Sequence, residues 1–104
     1  MRVIAGEAKG RRLKMLSHGG IRPTSDRVKE SLFDIIGGRA CGARILDLFA
    51  GTGNLGIEAL SRGASFAIFV EKTKKAAALI RENLTLTGLI ARAEVWQTDA
   101  KAAL

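Results

Sequence analysis

The sequence has few of the residues that mark secreted, membrane-spanning or metal-binding proteins. Its 104 residues contain one cysteine, Cys41, and one histidine, His18. A single cysteine excludes an internal disulfide, and neither residue stands at a metal-ligand spacing. No apolar run is long enough to cross a bilayer, and the first residues contain no signal-peptide core. These absences predict a globular protein of the reducing cytoplasm, with no membrane contact and no bound metal.

Acidic residues are scarce in the first part of the chain. Residues 1–44 contain ten lysines and arginines and four acids, a net charge of +6, whereas residues 45–104 contain seven bases and six acids, a net charge of +1. An excess of positive charge in one region favours a polyanionic partner such as nucleic acid. Ordinary surface charge is the alternative explanation.

Strands and helices alternate along the second part of the chain. Apolar runs predict strands over 43–49, 65–71 and 93–97, and helical periodicity with capping residues predicts helices over 25–36, 54–62 and 73–86. This order predicts an α/β fold with right-handed crossovers and a parallel sheet. Before it, residues 2–5 and 11–16 predict a short β-hairpin with a basic rim. The chain therefore divides into a basic hairpin arm, residues 1–22, and a cofactor-binding domain, residues 23–104.

The helix predicted over 25–36 is amphipathic. Four apolar residues recur on it at helical spacing, and these are Val28, Leu32, Ile35 and Ile36. This periodicity, which differs from the alternation of a half-buried strand, is the reason for predicting a helix there.

A glycine-rich turn follows the first core strand. Residues 51–56, GTGNLG, fit the pattern G-x-G-x-x-G between a predicted strand and a predicted helix. Glycines let the backbone approach a ligand closely, and the N-terminus of the helix offers unpaired N–H groups and the positive end of a dipole. The pattern by itself fits both dinucleotide-binding and S-adenosylmethionine-binding folds.

Three carboxylates stand at the ends of the three core strands. Asp47 lies in the first strand, Glu71 ends the second and Asp99 follows the third. The carboxyl ends of parallel strands share one edge of the sheet, where ligands bind. A carboxylate in an apolar strand needs a partner, and Asp47 would attract a ligand ammonium group but repel a pyrophosphate. The set therefore favours S-adenosylmethionine over NAD as the cofactor.

Each of these carboxylates also has a structural explanation. Asp47 could accept hydrogen bonds from loop N–H groups, Glu71 could be a solvated strand end, and Asp99 could cap a helix that begins at Ala100. In the ligand-binding interpretation, Glu71 accepts from both ribose hydroxyls, and Asp99 accepts from an adenine amino group.

Five segments carry a more specific pattern. In chain order they are residues 2–6 (RVIAG), 9–13 (KGRRL), 22–30 (RPTSDRVKE), 47–56 (DLFAGTGNLG) and 57–64 (IEALSRGA). Together they resemble the bacterial 16S ribosomal RNA guanine-N2 methyltransferase D family, through nearly the whole chain and in order. The resemblance implies a Rossmann-like fold and transfer of a methyl group from S-adenosyl-L-methionine to the exocyclic amine of a guanine in ribosomal RNA.

The resemblance also implies roles for individual residues. Asp47 would face the methionine end of the cofactor, Glu71 would hold the ribose, and Asp99 would frame the adenine. The full set expected to bind the cofactor is Asp47, Ala50, Gly51, Gly53, Glu71, Asp99 and Ala100. The set expected to contact RNA is Arg11, Arg12, Lys14, Arg22, Thr24 and Arg27. Salt bridges within its own helix are the alternative role for Arg27.

One motif of such enzymes is missing from these residues. Methyltransferases of this kind carry Asn- or Asp-Pro-Pro-aromatic after the fourth strand, where it orients the guanine amine and stacks on the flipped base. The single proline of the chain is Pro23, so the catalytic residues are unknown and expected beyond Leu104. We therefore interpret the chain as roughly the N-terminal half of the family's domain, and expect no methyl transfer by it alone.

The family resemblance also predicts an exposed strand edge. In the family's sheet the first strand pairs with the fourth, so the strand over 43–49 would keep an unpaired apolar edge, which favours self-association. The expected partner of the whole protein is ribosomal RNA or the small ribosomal subunit. Two other functions stay open. The first is a non-catalytic RNA-binding module with a structural or degenerate pocket. The second is an NAD-dependent oxidoreductase half-domain, and both Asp47 and the basic N-terminal part of the chain are evidence against it.

Overall fold

The computed structural model describes residues 1–15, 26–48 and 50–104, and a parallel sheet lies at its centre. The strands are β1 (Arg44–Asp47), β2 (Phe66–Glu71) and β3 (Ala93–Gln97), in the spatial order β1–β2–β3. The helices are α1 (Asp26–Ile36), α2 (Asn54–Ser61), α3 (Lys74–Leu86) and α4 (Ala100–Ala103), with short 3₁₀ turns at Gly37–Ala40 and Ile90–Arg92. The predicted α/β fold with a parallel sheet is confirmed.

Pairing between the strands aligns their C-terminal ends. Asp47 of β1 pairs with Phe69 of β2, and Glu71 of β2 pairs with Gln97 of β3. Helix α2 packs on β1 and β2, while α3 packs on β2 and β3. The buried side chains of this layer include Phe69, Ile57, Leu60, Ile80 and Leu84. Burial of a side chain of this size contributes about 1.5–3 kcal/mol, so this layer holds the sheet and the ends of its strands together.

The third glycine of the turn pattern sets the distance between α2 and the sheet. A Cβ atom added to Gly56 would lie 2.3 Å from a ring carbon of Phe69. No side chain fits at that distance, so glycine is needed for close packing of the helix on the strand. The last glycine of the pattern thus serves the contact between helix and strand.

Helix α1 presents a different face to the core than its apolar periodicity indicates. It buries Lys29 and Phe33, whereas the side chains of Val28, Leu32 and Ile35 are exposed by 58%, 37% and 80%. The helix is turned this way because the Lys29 ammonium group pairs with a buried carboxylate of α2. The prediction of a helix is confirmed, but the apolar stripe is largely its outer face.

The N-terminal segment, residues 1–15, packs against the domain. Its two halves pair antiparallel at the single bridge between Arg2 and Arg12, a shorter pairing than the predicted hairpin strands. The side chains of Val3, Ala8 and Leu13 are buried in the same core as the sheet. The continuation of the predicted hairpin arm, to residue 22, lies outside the described residues.

One edge of the sheet is open within the described ranges. There, β1 pairs with β2 alone, and the side chain of Leu46 is 50% exposed. Beside it, a groove of about 250 Å³ runs between α1, α2 and β1, with Leu32, Ile36 and Ile45 in its lining.

Among the described helices, none has the length and apolar character needed to cross a bilayer.

Candidate ligand-binding edge and basic surface

The three carboxylates of the sequence pattern lie at one edge of the sheet. Asp47 is the last residue of β1, Glu71 is the last residue of β2, and Asp99 stands two residues beyond the end of β3. Because the three strands are parallel and paired, their ends converge there. The structure therefore brings together the acidic side chains that the sequence places at separate strand ends.

Glu71 holds the turn that follows β1. Its Oε2 accepts a hydrogen bond from the Gly51 N–H at 2.9 Å, and its Oε1 accepts one from the Lys72 N–H at 3.1 Å. The side chain is half-buried, so it is more than a solvated strand end. A carboxylate oxygen has two lone pairs, and each oxygen can therefore still accept from a ligand hydroxyl.

The glycine loop, residues 50–53, is tightly bonded on one side and open on the other. The Ala50 N–H donates to the Val70 carbonyl at 3.2 Å, and the Gly53 N–H donates to the Ala50 carbonyl at 2.7 Å. Gly51 has a φ of +56°, and a Cβ atom added there would meet no atom within 4 Å. The loop backbone therefore has free space beside Gly51, where a ligand can approach.

Asp47 and Asp99 are in different surroundings. Asp47 is half-buried and contributes to the lining of the groove beside Leu55 and Gly56. Asp99 is exposed and caps α4, with its Oδ1 accepting from the Ala102 N–H at 2.6 Å. The helix-cap explanation of Asp99 is therefore correct for one of its oxygens, and Ala100 is the first residue of the capped helix.

The chemistry of this edge fits some ligands better than others. Asp47, Glu71 and Asp99 offer carboxylate oxygens, which accept hydrogen bonds from hydroxyl and amino groups and attract positive charge. A phosphate group at the same edge would be repelled by these charges. The acceptors present therefore fit a ligand that carries an ammonium group, ribose hydroxyls and an amino-substituted base.

Within the described ranges, no group of three or more His, Cys, Asp or Glu side chains could hold a metal ion.

A buried charged cluster near the site was missed from the sequence. The side chains of Lys29 and Glu58 have no exposed surface, and Lys29 Nζ lies 3.1 Å from Glu58 Oε1. Glu58 also accepts from Arg62 Nε at 2.7 Å and from the N–H groups of Ile4 and Ala5 at 2.9 and 3.2 Å. The i, i+4 spacing of Glu58 and Arg62 is a sequence signal for part of this cluster.

Hydrogen bonding decides the protonation of Glu58. Burial raises the pKa of this carboxyl group, but the bonds from the Ile4 N–H, Arg62 and Lys29 lower it, and the net result is a pKa below the usual 4.5. Glu58 is therefore ionised at neutral pH, with a cation on either side. It fastens the N-terminal segment to α1 and α2.

The basic residues expected to contact RNA are exposed where the structure describes them. Arg11, Arg12 and Lys14 lie on the N-terminal segment and Arg27 on α1, all with exposed side chains. Lys14 Nζ pairs with Glu82 at 2.5 Å. None of the ion pairs found among the described residues involves Arg27, so the alternative of helix salt bridges gains no support there. Arg22 and Thr24 lie outside the described residues.

Comparisons with known proteins agree with this geometry. A family model described as Conserved hypothetical protein 95 matches residues 1–104. The Bacillus subtilis protein "Putative rRNA methyltransferase YlbH" is 51% identical over 104 residues, which is 100% of this chain and 56% of that protein. The Haemophilus influenzae protein "Ribosomal RNA small subunit methyltransferase D" is 46% identical over 84 residues, 81% of this chain and 44% of that protein. The chain thus spans about half the length of the curated relatives that it matches.

Solved structures show the same fold. The Escherichia coli structure "Putative methyltransferase yhhF" superposes with a TM-score of 0.86 at 35% identity, covering 99% of this chain and 55% of that one. An RNA methyltransferase from Salinibacter ruber, solved with S-adenosyl-L-homocysteine, superposes with a TM-score of 0.68 at 20% identity, covering 77% of this chain and 52% of that one. These likenesses confirm the predicted Rossmann-like methyltransferase fold.

Proposed function

The chain belongs to the family described as Conserved hypothetical protein 95, and from this premise we propose that it is the cofactor-binding and RNA-binding part of an S-adenosyl-L-methionine-dependent ribosomal RNA methyltransferase. The resemblance to the small-subunit ribosomal RNA methyltransferase D family, stated from the sequence, is confirmed by the matches over the chain. The observation that carries the proposal is the acidic edge, where Glu71 holds Gly51 beside open space. A ribosomal substrate would place the whole protein in the cytoplasm.

Each cofactor group has a candidate partner at this edge. Glu71 would accept from the ribose hydroxyls, Asp47 would face the ammonium group, and Asp99 with the Ala100 backbone would lie against the adenine. Ala50, Gly51 and Gly53 would bring the loop backbone close to the cofactor. When bound, S-adenosyl-L-methionine supplies a methyl group on a positively charged sulfur, and the carboxylates favour that positive charge.

We propose that the acceptor is the N2 amine of a guanine in the RNA of the small ribosomal subunit. The name of the Haemophilus influenzae relative supports a small-subunit RNA substrate, and the family resemblance supports the guanine amine. The 104 residues contain no Pro-Pro motif, since Pro23 is the single proline. We therefore expect this chain to bind its ligands without transferring a methyl group.

Titration with S-adenosyl-L-homocysteine tests the cofactor assignment directly. We expect calorimetry to detect binding of this ligand by the purified chain and no binding of NADH, because a pyrophosphate would meet the carboxylates of the edge. Binding of NADH in place of S-adenosyl-L-homocysteine would support the oxidoreductase alternative. RNA binding without either cofactor would support the non-catalytic RNA-binding module, for which the exposed basic residues of the N-terminal segment are the favourable observation.

RNA binding is expected to depend on the N-terminal segment and on salt. In the variant Arg11→Ala/Arg12→Ala, the affinity for single-stranded RNA should fall, and the slope of log affinity against log salt should flatten by about 0.7 for each phosphate that the variant no longer neutralises. The matched control, Arg39→Ala/Arg44→Ala, removes two exposed arginines elsewhere. Fluorescence anisotropy at several salt concentrations measures both. Equal decreases in affinity in the two variants would mean that only net charge matters.

We also propose that the chain self-associates through the open edge of β1. Leu46 on that edge is half exposed, and the groove beside it is apolar, which favours pairing with another strand. We expect light scattering to detect an apparent mass that rises with concentration, and the variant Leu46→Lys to suppress the rise, because edge charges oppose pairing. A concentration-independent monomer would contradict this proposal.

A further inference from the structure

One buried side chain joins the N-terminal segment to the glycine loop. Asn83 of α3 has no exposed surface. Its Oδ1 accepts from the Lys14 N–H at 2.7 Å, and its Nδ2 donates to the Lys14 carbonyl at 3.0 Å and to the Thr52 carbonyl at 3.0 Å. A single carboxamide therefore fixes the backbone of a basic residue and the middle of the loop at the same time.

A second buried link reaches the other side of the same loop. Lys29 Nζ donates to the Arg2 carbonyl at 2.6 Å and to Asn54 Oδ1 at 2.7 Å. Asn54 is the first residue of α2 and directly follows Gly53. The residues on either side of Gly53, Thr52 and Asn54, are thus both bonded to side chains that also hold the N-terminal segment.

If these hydrogen bonds are broken, the buried groups have few other partners available. The side chains of Asn83 and Lys29 are fully buried, and a buried polar group without its partner carries a desolvation cost of about 1–3 kcal/mol. Because breaking these bonds is costly, a displacement of the N-terminal segment is expected to move the loop with it. The two surfaces that the proposed function assigns to RNA and to cofactor meet at these bonds.

We propose that Asn83, supported by the link from Lys29 to Asn54, couples RNA binding on the N-terminal segment to cofactor binding at the glycine loop. The inference rests on the proposed function, because it needs both ligands. Asn83 is a positioning residue, since it acts through the Thr52 carbonyl and the Lys14 backbone. RNA bound to the segment would further restrict its movement and, through these bonds, that of the loop, so that the cofactor binds with a smaller loss of conformational entropy.

Coupling of this kind is reciprocal and can be measured. Calorimetry with S-adenosyl-L-homocysteine, in the presence and absence of a saturating single-stranded RNA oligonucleotide, gives the ratio of the two dissociation constants. For the unaltered chain we expect RNA to tighten cofactor binding by about fivefold or more, and the cofactor to tighten RNA binding by the same factor. In Asn83→Leu, which keeps the number and branching of the side-chain heavy atoms and removes the amide, the ratio should fall close to one.

Two further variants separate coupling from stability. Asn54→Ala removes one acceptor of Lys29 while Glu58 and the Arg2 carbonyl still pair with the ammonium group, so it should fold and show a reduced ratio even if Asn83→Leu does not fold. Ser61→Ala is the control, because Ser61 binds the N-terminal segment at Ala5 and Ala8 without touching the loop. It should lower stability and keep the full ratio.

The outcomes distinguish this inference from the proposed function. If the chain binds both ligands with a ratio of one, or if Asn83→Leu or Asn54→Ala keeps the full ratio, the coupling is overturned and the function stands. A reduced ratio in Ser61→Ala equal to that in Asn54→Ala would also overturn it, since general loosening would then be the cause. Absence of cofactor binding overturns both.

Discussion

Replacement of Glu58 by glutamine is expected to lower the free energy of unfolding by about 3–5 kcal/mol at neutral pH. The change leaves the buried Lys29 ammonium group without its anion and weakens the bonds from Arg62 and the Ile4 N–H. An uncompensated buried charge is among the most destabilising results of a single substitution. For a domain whose total stability is about 5–15 kcal/mol, this decrease is a large fraction, and urea unfolding followed by circular dichroism measures it.

The same substitution is expected to change the pH dependence of stability. Burial raises the pKa of Glu58, but its hydrogen bonds from Ile4, Arg62 and Lys29 lower it below 4.5 in the folded chain. A carboxyl group with a lowered folded pKa stabilises the protein at pH values above its unfolded pKa, and this contribution is lost as the pH falls through the folded pKa. The stability difference between the unaltered chain and Glu58→Gln should therefore be full at neutral pH and should shrink as the pH falls below 4.5 and through the lower folded pKa of Glu58.

A control of equal chemistry is available on the surface. Glu82→Gln removes the carboxylate that pairs with Lys14, where both side chains are about half exposed. Exposed pairs of this type contribute about 0–1 kcal/mol, so this variant should unfold close to the unaltered chain at every pH. If Glu58→Gln behaved like Glu82→Gln, the buried cluster would not hold α1, α2 and the N-terminal segment together in solution.

Replacement of Glu71 by alanine is expected to weaken S-adenosyl-L-homocysteine binding by about tenfold to a hundredfold. Hydrogen bonds to a charged group contribute about 1.5–3 kcal/mol, and about 1.4 kcal/mol corresponds to a factor of ten in affinity. The weakening has two sources, which are the proposed ribose contacts and the bond that holds the Gly51 N–H at 2.9 Å. Calorimetry on the purified variant measures the dissociation constant.

Two further substitutions test whether weaker binding by Glu71→Ala comes from lost hydrogen bonds or only from the loss of one negative charge. Glu94→Ala removes an exposed carboxylate of β3, and it should leave the dissociation constant unchanged. Glu71→Gln keeps one acceptor oxygen, so its affinity should lie between those of the unaltered chain and Glu71→Ala. An unchanged dissociation constant in Glu71→Ala would remove this residue from the cofactor site, whatever the family resemblance implies.

Much of the fold follows from local features of the sequence. Capping residues predict a helix that follows Thr73, and the Thr73 Oγ1 accepts from the Ala76 N–H at the start of α3. Ala77, Ile80 and Leu84 recur at helical spacing and are buried. Strand ends, helix caps and glycine turns depend on residues close together in the chain, so a sequence pattern can indicate them.

The arrangement of the candidate site is predictable to the same extent. Once the strands are parallel, Asp47, Glu71 and Asp99 must stand at one edge, and the structure agrees. The bond from the Gly51 N–H to Glu71 does not follow from the sequence, because it depends on how the loop folds back over the end of β2. The capping of α4 by Asp99 is among the alternatives that the sequence leaves open, since a carboxylate before a short helix has this local use as well.

Local patterns in the chain were enough to indicate the order of elements, the acidic edge, the glycine turn and the family. Which face of α1 is inside, and which polar groups join the N-terminal segment to the loop, depends instead on contacts between residues far apart in the chain. Periodicity favoured Val28, Leu32 and Ile35 as the apolar face, yet Lys29 is buried because packing supplies Glu58 as its partner. The stability of a buried charge or amide depends on groups distant in sequence, as Asn83 with Lys14 and Thr52 also shows, and no local pattern records them.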